Sequence, residues 1–130
     1  GANTGLDELT TTDANQVWIV SGGSVTPTEF DARESLGMAS SSIEDLAGGE
    51  AAENAAVARD VLSGGGADSV RDAVALNVGA GILAWEGLEN PVTQADFERR
   101  MRGAVERALG VLADGSGARL IERWVAASNE

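Results

Sequence analysis

The two β-prone runs of this chain sit side by side near its start, and everything after them reads as helix. Gln16-Val17-Trp18-Ile19-Val20 is short and apolar, Ser21-Gly22-Gly23 follows, and Ser24-Val25-Thr26 resumes the β-prone character. Two such runs around a Gly-Gly turn predict a hairpin, with Pro27 placing the second strand at an edge or ending it there, because proline has no N–H for a ladder. A two-stranded ribbon is marginal in water. The chain is therefore either a mainly helical domain carrying a ribbon, or part of an α/β domain whose sheet lies in another piece of polypeptide. It opens on Gly1 and its first Met is Met38. Read as a processed or excised product, it favours the second arrangement.

From residue 32 onward the pattern becomes helical. Ile43–Leu46 is at most a short turn, ended by Gly48-Gly49. Residues 50–62 align Ala51, Ala55, Ala58, Val61 and Leu62 on one stripe, and Ser63-Gly64-Gly65-Gly66 stops that helix. Residues 69–86 carry Val70, Ala73, Val74, Leu76, Val78, Ile82, Leu83 and Trp85, which predicts a helix buried on most sides. Thr93-Gln94-Ala95-Asp96 has the form of a capping box opening a helix whose stripe is Phe97, Met101, Ala104, Ala108, Val111 and Leu112, with Glu98 and Arg102 paired outside. Gly115 ends it. Leu120, Ile121, Trp124 and Val125 form the inner face of a last helix. The count is one hairpin and about four substantial helices in one domain, with no linker and no internal repeat.

Composition removes much chemistry. There is no His, Cys, Lys or Tyr, so Ser-His-Asp triads, thiolate nucleophiles, Cys/His zinc sites, disulfides, Schiff bases and P-loop lysines are excluded. Carboxylates, Arg, hydroxyls, amides and backbone remain, and these suit hard cations and phosphates. The 21 acidic residues against nine Arg give a net charge of −12, which repels phosphate backbones and argues against nucleic acid as partner. No apolar run approaches the ~20 residues of a membrane span. With 43% hydrophobic residues, the chain has the composition of a folded domain.

Three features bear on chemistry. Gly79-Ala80-Gly81-Ile82-Leu83-Ala84 matches a dinucleotide fingerprint after the strand-like 74–78, with Asp96 and Glu98 near the expected distance. That reading requires a strand at 74–78; the alternative is a buried helix whose Gly79 and Gly81 admit a close neighbour. Asn77 falls on the packed face of its helix and Asn54 lies within the preceding one, where a buried amide bonded to backbone fixes one packing arrangement or, less simply, touches a ligand. Asp7 and Glu8, beside a Gly-containing turn and backed by Thr10, Thr11 and Thr12, offer hard oxygen ligands for Mg²⁺ or else form an ordinary solvated loop.

The order Gly5-Leu6-Asp7-Glu8-Leu9-Thr10, the hairpin, Gly48-Gly49, Glu53-Asn54-Ala55, Val61-Leu62-Ser63-Gly64, Arg71-Asp72-Ala73-Val74-Ala75-Leu76-Asn77 and Gly115-Ser116-Gly117-Ala118 resembles the C-terminal part of the anthranilate phosphoribosyltransferases, over essentially all 130 residues. The resemblance implies an α/β class: residues 1–130 as the C-terminal portion of a phosphoribosyltransferase/nucleoside-phosphorylase-like α/β domain, without the N-terminal helical domain and the diphosphate loop. It implies transfer of phosphoribosyl from 5-phosphoribosyl 1-diphosphate to anthranilate in tryptophan biosynthesis, with Mg²⁺ as cofactor and Asp7 and Glu8 as its ligands. The implied partners are the two substrates and the missing N-terminal part, in a cytoplasmic homodimer, and the fragment alone should be inactive. The His that commonly precedes the first Gly of the metal motif falls outside the chain. Val78-Gly79 follow Asn77 where small alanines are usual, which leaves room for a paralogue with another acceptor. A non-catalytic helical binding module that keeps the pattern is the alternative from a different class.

Overall fold

In the computed structural model, which describes residues 5–129, strand β1 (Asn15–Ser21) pairs antiparallel with β2 (Ser24–Phe30) in the register Asn15↔Phe30 to Ser21↔Ser24. Gly22 and Gly23 form the turn with φ of 57° and 78°. Positive φ at both central residues gives the turn whose twist matches that of paired strands. Pro27 does not end β2. It sits opposite Trp18, and counting in pairs from Ser21–Ser24 puts its missing N–H on the side facing away from β1. Asn15, Ile19 and Phe30 turn inward, whereas Trp18, Val20 and Val25 are exposed. The ribbon is the whole sheet among the described residues.

Helix α1 (Ala32–Leu36) follows at once, capped by the Asp31 carboxylate accepting from the Arg33 N–H at 2.9 Å, and closed by Gly37 in the left-handed region. The Arg33 guanidinium also bonds Asp31 and holds its carboxyl at about 2, well below the usual value of 3.8. A 3-10 turn spans Glu44–Leu46, and α2 (Ala51–Leu62) opens with a capping box between Glu50 and Glu53. The expected apolar stripe of α2 is mostly uncovered: only Val61 is buried, and Ala51 and Ala58 are exposed.

Helix α3 (Asp68–Glu86) and α4 (Phe97–Ala113) form the centre. Thr93 and Asp96 exchange the expected capping bonds, Thr93 N–H to Asp96 Oδ1 at 2.8 Å and Asp96 N–H to Thr93 Oγ1 at 3.3 Å, one turn before α4 begins. Phe97, Met101, Ala104, Val105, Ala108 and Leu112 are buried against Ala75, Leu76 and Leu83. Phe30 meets Phe97 edge to face, centroids 5.4 Å apart, and this contact seats the hairpin base on the helices. Val111 is exposed, and Val105, absent from the expected stripe, takes its place. Arg102 does not pair with Glu98; its guanidinium donates to the Ser35 carbonyl.

Two further expectations are corrected. Helix α3 is covered on one side only: Val78, Trp85 and, just past its end, Leu88 remain exposed, with Gly81 and Ala84 beside them. That is a second apolar stripe with nothing on it. Likewise, α5 (Ser116–Ala127) has no buried residue, and Leu120, Trp124 and Val125 are all more than half exposed. The cause is the same in both: the described residues supply no facing element. No helix among them is long and apolar enough to cross a membrane.

Candidate functional site

Asp7 and Glu8 lie in an irregular segment, residues 6–14, that precedes β1, and both are exposed. Gly1 to Thr4, which precede it, fall outside the described residues. Irregular backbone needs its polar groups satisfied from elsewhere, and here side chains do it. The Leu9 N–H donates to Asn77 Oδ1 at 3.0 Å, and Asn77 Nδ2 donates to the Leu9 carbonyl at 2.9 Å. One residue on, the Thr10 N–H donates to Asn15 Oδ1 and Asn15 Nδ2 to the Thr10 carbonyl, both at 2.9 Å. Thr11 Oγ1 bonds Ser41 Oγ at 2.8 Å, and Thr10 Oγ1 bonds Thr12 Oγ1 at 2.7 Å. Thr10 and Thr11 are buried, so these hydroxyls hold the segment together and are not presented outward with the carboxylates.

Asp7 stands at the edge of an open apolar groove of about 490 Å³ whose walls include Leu9, Ile19, Leu83, Leu88 and Phe97. The groove runs between the hairpin and the C-terminal half of α3, and meets the bare stripe of that helix at Ala84 and Leu88. Neither Asp7 nor Glu8 makes an ion pair among the described residues, which contain no cluster of three or more acidic, His or Cys side chains able to cage a metal. Two adjacent exposed carboxylates are nonetheless the donor set that suits Mg²⁺, an ion that keeps several waters and takes one or two protein carboxylates beside substrate phosphates. The residues present fit such a shared site and not a closed one.

The other candidates resolve into structure. Residues 74–78 are helical within α3, which removes the dinucleotide site. Gly79 does admit a close neighbour: a Cβ there would lie 2.7 Å from Val105 Cγ2 and 3.1 Å from the Val105 nitrogen. Gly81 does not, since a Cβ there meets nothing within 4 Å. Asn54 is exposed rather than buried, and clamps the Gly49 peptide before α2, with the Gly49 N–H donating to Oδ1 and Nδ2 donating to the Gly49 carbonyl, both at 2.8 Å. Asn15 was not singled out by sequence, although it is wholly buried and makes more bonds than either. Its signal is an Asn opening a β-prone run, where a side chain that competes with backbone is otherwise disfavoured.

Residues 2–118 match the family described as "Glycosyl transferase family, a/b domain". The chain belongs to this family. Among similar family proteins, the anthranilate phosphoribosyltransferase of Arthrobacter sp. (strain FB24) is 45% identical over 94% of the chain and 33% of its own length. Those of Nocardia farcinica (strain IFM 10152) and Nocardioides sp. (strain ATCC BAA-499 / JS614) are 41% and 43% identical, over 96% and 95% of the chain and 36% and 34% of their own lengths. The chain thus spans about a third of the length of the curated relatives it matches.

Proposed function

We propose that this chain is the C-terminal part of the α/β domain of an anthranilate phosphoribosyltransferase, joining phosphoribosyl from 5-phosphoribosyl 1-diphosphate to anthranilate with release of diphosphate. The observation that carries the reading is 45% identity across 94% of the chain to a relative of that name. In this reading Asp7 and Glu8 hold Mg²⁺. An ion held there would supply neutralisation of the charge on the departing diphosphate oxygens, chemistry that needs no proton-transfer residue from this chain. Asp7 and Glu8 supply the anionic face that fixes the ion, the Leu9–Thr10 peptides hold their loop, and the helices behind serve as scaffold. A chain without His, Lys or Cys is suited to that share of the work.

The remainder of the protein is then the chief partner. The bare stripe of α3 at Val78, Trp85 and Leu88, and the outward Trp18 and Val20 of the hairpin, are apolar surfaces of the kind that pack against further sheet. A cytoplasmic homodimer completes the assembly. The test is to supply the missing N-terminal part in trans. The chain alone should be inactive, the reassembled protein should transfer phosphoribosyl to anthranilate, and Asp7→Ala with Glu8→Ala should abolish transfer. Full activity in that double variant would falsify the metal assignment, and transfer to another acceptor in preference to anthranilate would assign a paralogue.

A further inference from the structure

The peptide after Glu8 is held by a side chain 68 residues away in sequence. Asn77 lies mid-way along α3, a position where Asn is less favourable than Ala by roughly 0.6 kcal/mol. It satisfies both backbone groups of Leu9, at 3.0 and 2.9 Å, and its Nδ2 also donates to the Ala73 carbonyl one turn back at 2.8 Å. A carboxamide that meets the N–H and C=O of one residue together acts as a strand partner would, fixing position and rotation at once. The bond to Ala73 locks the amide itself. Asn15, by contrast, closes a local turn, bonding Thr10, Asp13 and Phe30 beside its own strand.

Resting on the metal reading above, we propose that Asn77 is a positioning residue for the Asp7–Glu8 pair: it ties the loop that carries the two carboxylates to α3, and so to the core seam between α3 and α4. The shape of the contact is restrictive. Gln is longer by one methylene and displaces Leu9; Asp keeps the Leu9 N–H bond but sets a carboxylate against the Leu9 and Ala73 carbonyls; Ala leaves Leu9 unheld. Groups that bond metal ligands directly are worth about 10–100-fold in metal affinity, and Asn77, which bonds the residue after Glu8, belongs at the lower end of that range.

The experiment is a Mn²⁺ titration of the complete enzyme with inorganic diphosphate present, free Mn²⁺ being read by electron paramagnetic resonance against a protein-free blank. Asn77→Ala and Asn77→Asp should weaken Mn²⁺ binding about tenfold or more. Val105→Ala, which loosens the same helix pair without touching the loop, should lower Tm and leave the Mn²⁺ affinity unchanged. Asn77→Asp preserves size and one bond, so it carries the test where Asn77→Ala fails to fold. Wild-type affinity in Asn77→Asp, together with loss of binding in the Asp7→Ala, Glu8→Ala double variant, overturns the positioning role and leaves the metal assignment standing. Retained binding in that double variant overturns both.

Discussion

Helices α4 and α5 follow each other across Gly115, and both carry an apolar stripe, yet their fates differ. Six residues of α4 are buried, from Phe97 to Leu112, whereas none of α5 is, and Trp124 is 71% exposed. The difference lies in what faces each stripe. Across from α4, Gly79 lets the α3 backbone come against Val105, and the small Ala75 and Ala108 leave room in the same core for larger side chains to interlock. Helix α5 has one comparable contact, in its first turn, where Gly117 lies so close to Leu62 that a Cβ would sit 2.8 Å from Leu62 Cδ2. Beyond that turn the described residues bury none of it, and Ile121 is only partly covered. An amphipathic stripe states that a face will be covered; a facing surface of complementary shape decides whether it is.

The comparison can be broken most directly at Met101, which is fully buried. Met101→Ala should cost about 2–5 kcal/mol in urea unfolding. Gly79→Ala should cost about 1–3 kcal/mol, because the new methyl drives against both the side chain and the backbone of Val105. Gly81→Ala, two residues on in the same helix and facing open space, should instead stabilise by up to about 1 kcal/mol. Equal effects at the two glycines would show that the seam is not where the packing places it.

Smaller effects sharpen the picture. The Asp31 carboxyl titrates at about 2 in the folded protein against an ordinary 3.8, mainly because Arg33 bonds it. A lowered folded-state pKa contributes stability that is present above about pH 4 and lost as pH falls toward 2. Asp31→Asn should therefore be less stable than wild type at neutral pH, and the two acid-unfolding curves should converge below about pH 2. Trp124→Ala should change the stability of the isolated chain by less than about 0.5 kcal/mol. A loss as large as that of Met101→Ala would mean that the α5 face is covered after all.

Much of the fold was legible because local rules act on neighbours. The Gly22-Gly23 turn, the Thr93–Asp96 capping exchange and the glycines that stop α2 each depend on residues a few positions apart. Burial was less legible, because α3 and α5 show apolar residues whose covering element the described chain does not supply. For the candidate site, Asp7 and Glu8 stood out as adjacent carboxylates in a familiar order of motifs. Asn15 did not stand out, and the role of Asn77 required knowing that residue 9 and residue 77 meet.

By itself the sequence determined the alphabet of the chemistry and the order of elements: carboxylate and backbone rather than imidazole, thiol or amine, and one hairpin followed by helices. Those follow from residue identity and short-range spacing. Only the tertiary structure decided that Gly79 is a packing glycine while Gly81 is not, that one face of α3 stays bare, and that Asn77 holds Leu9. Each of these depends on atoms brought together from distant parts of the chain, and no local pattern records which distant surface a side chain will meet.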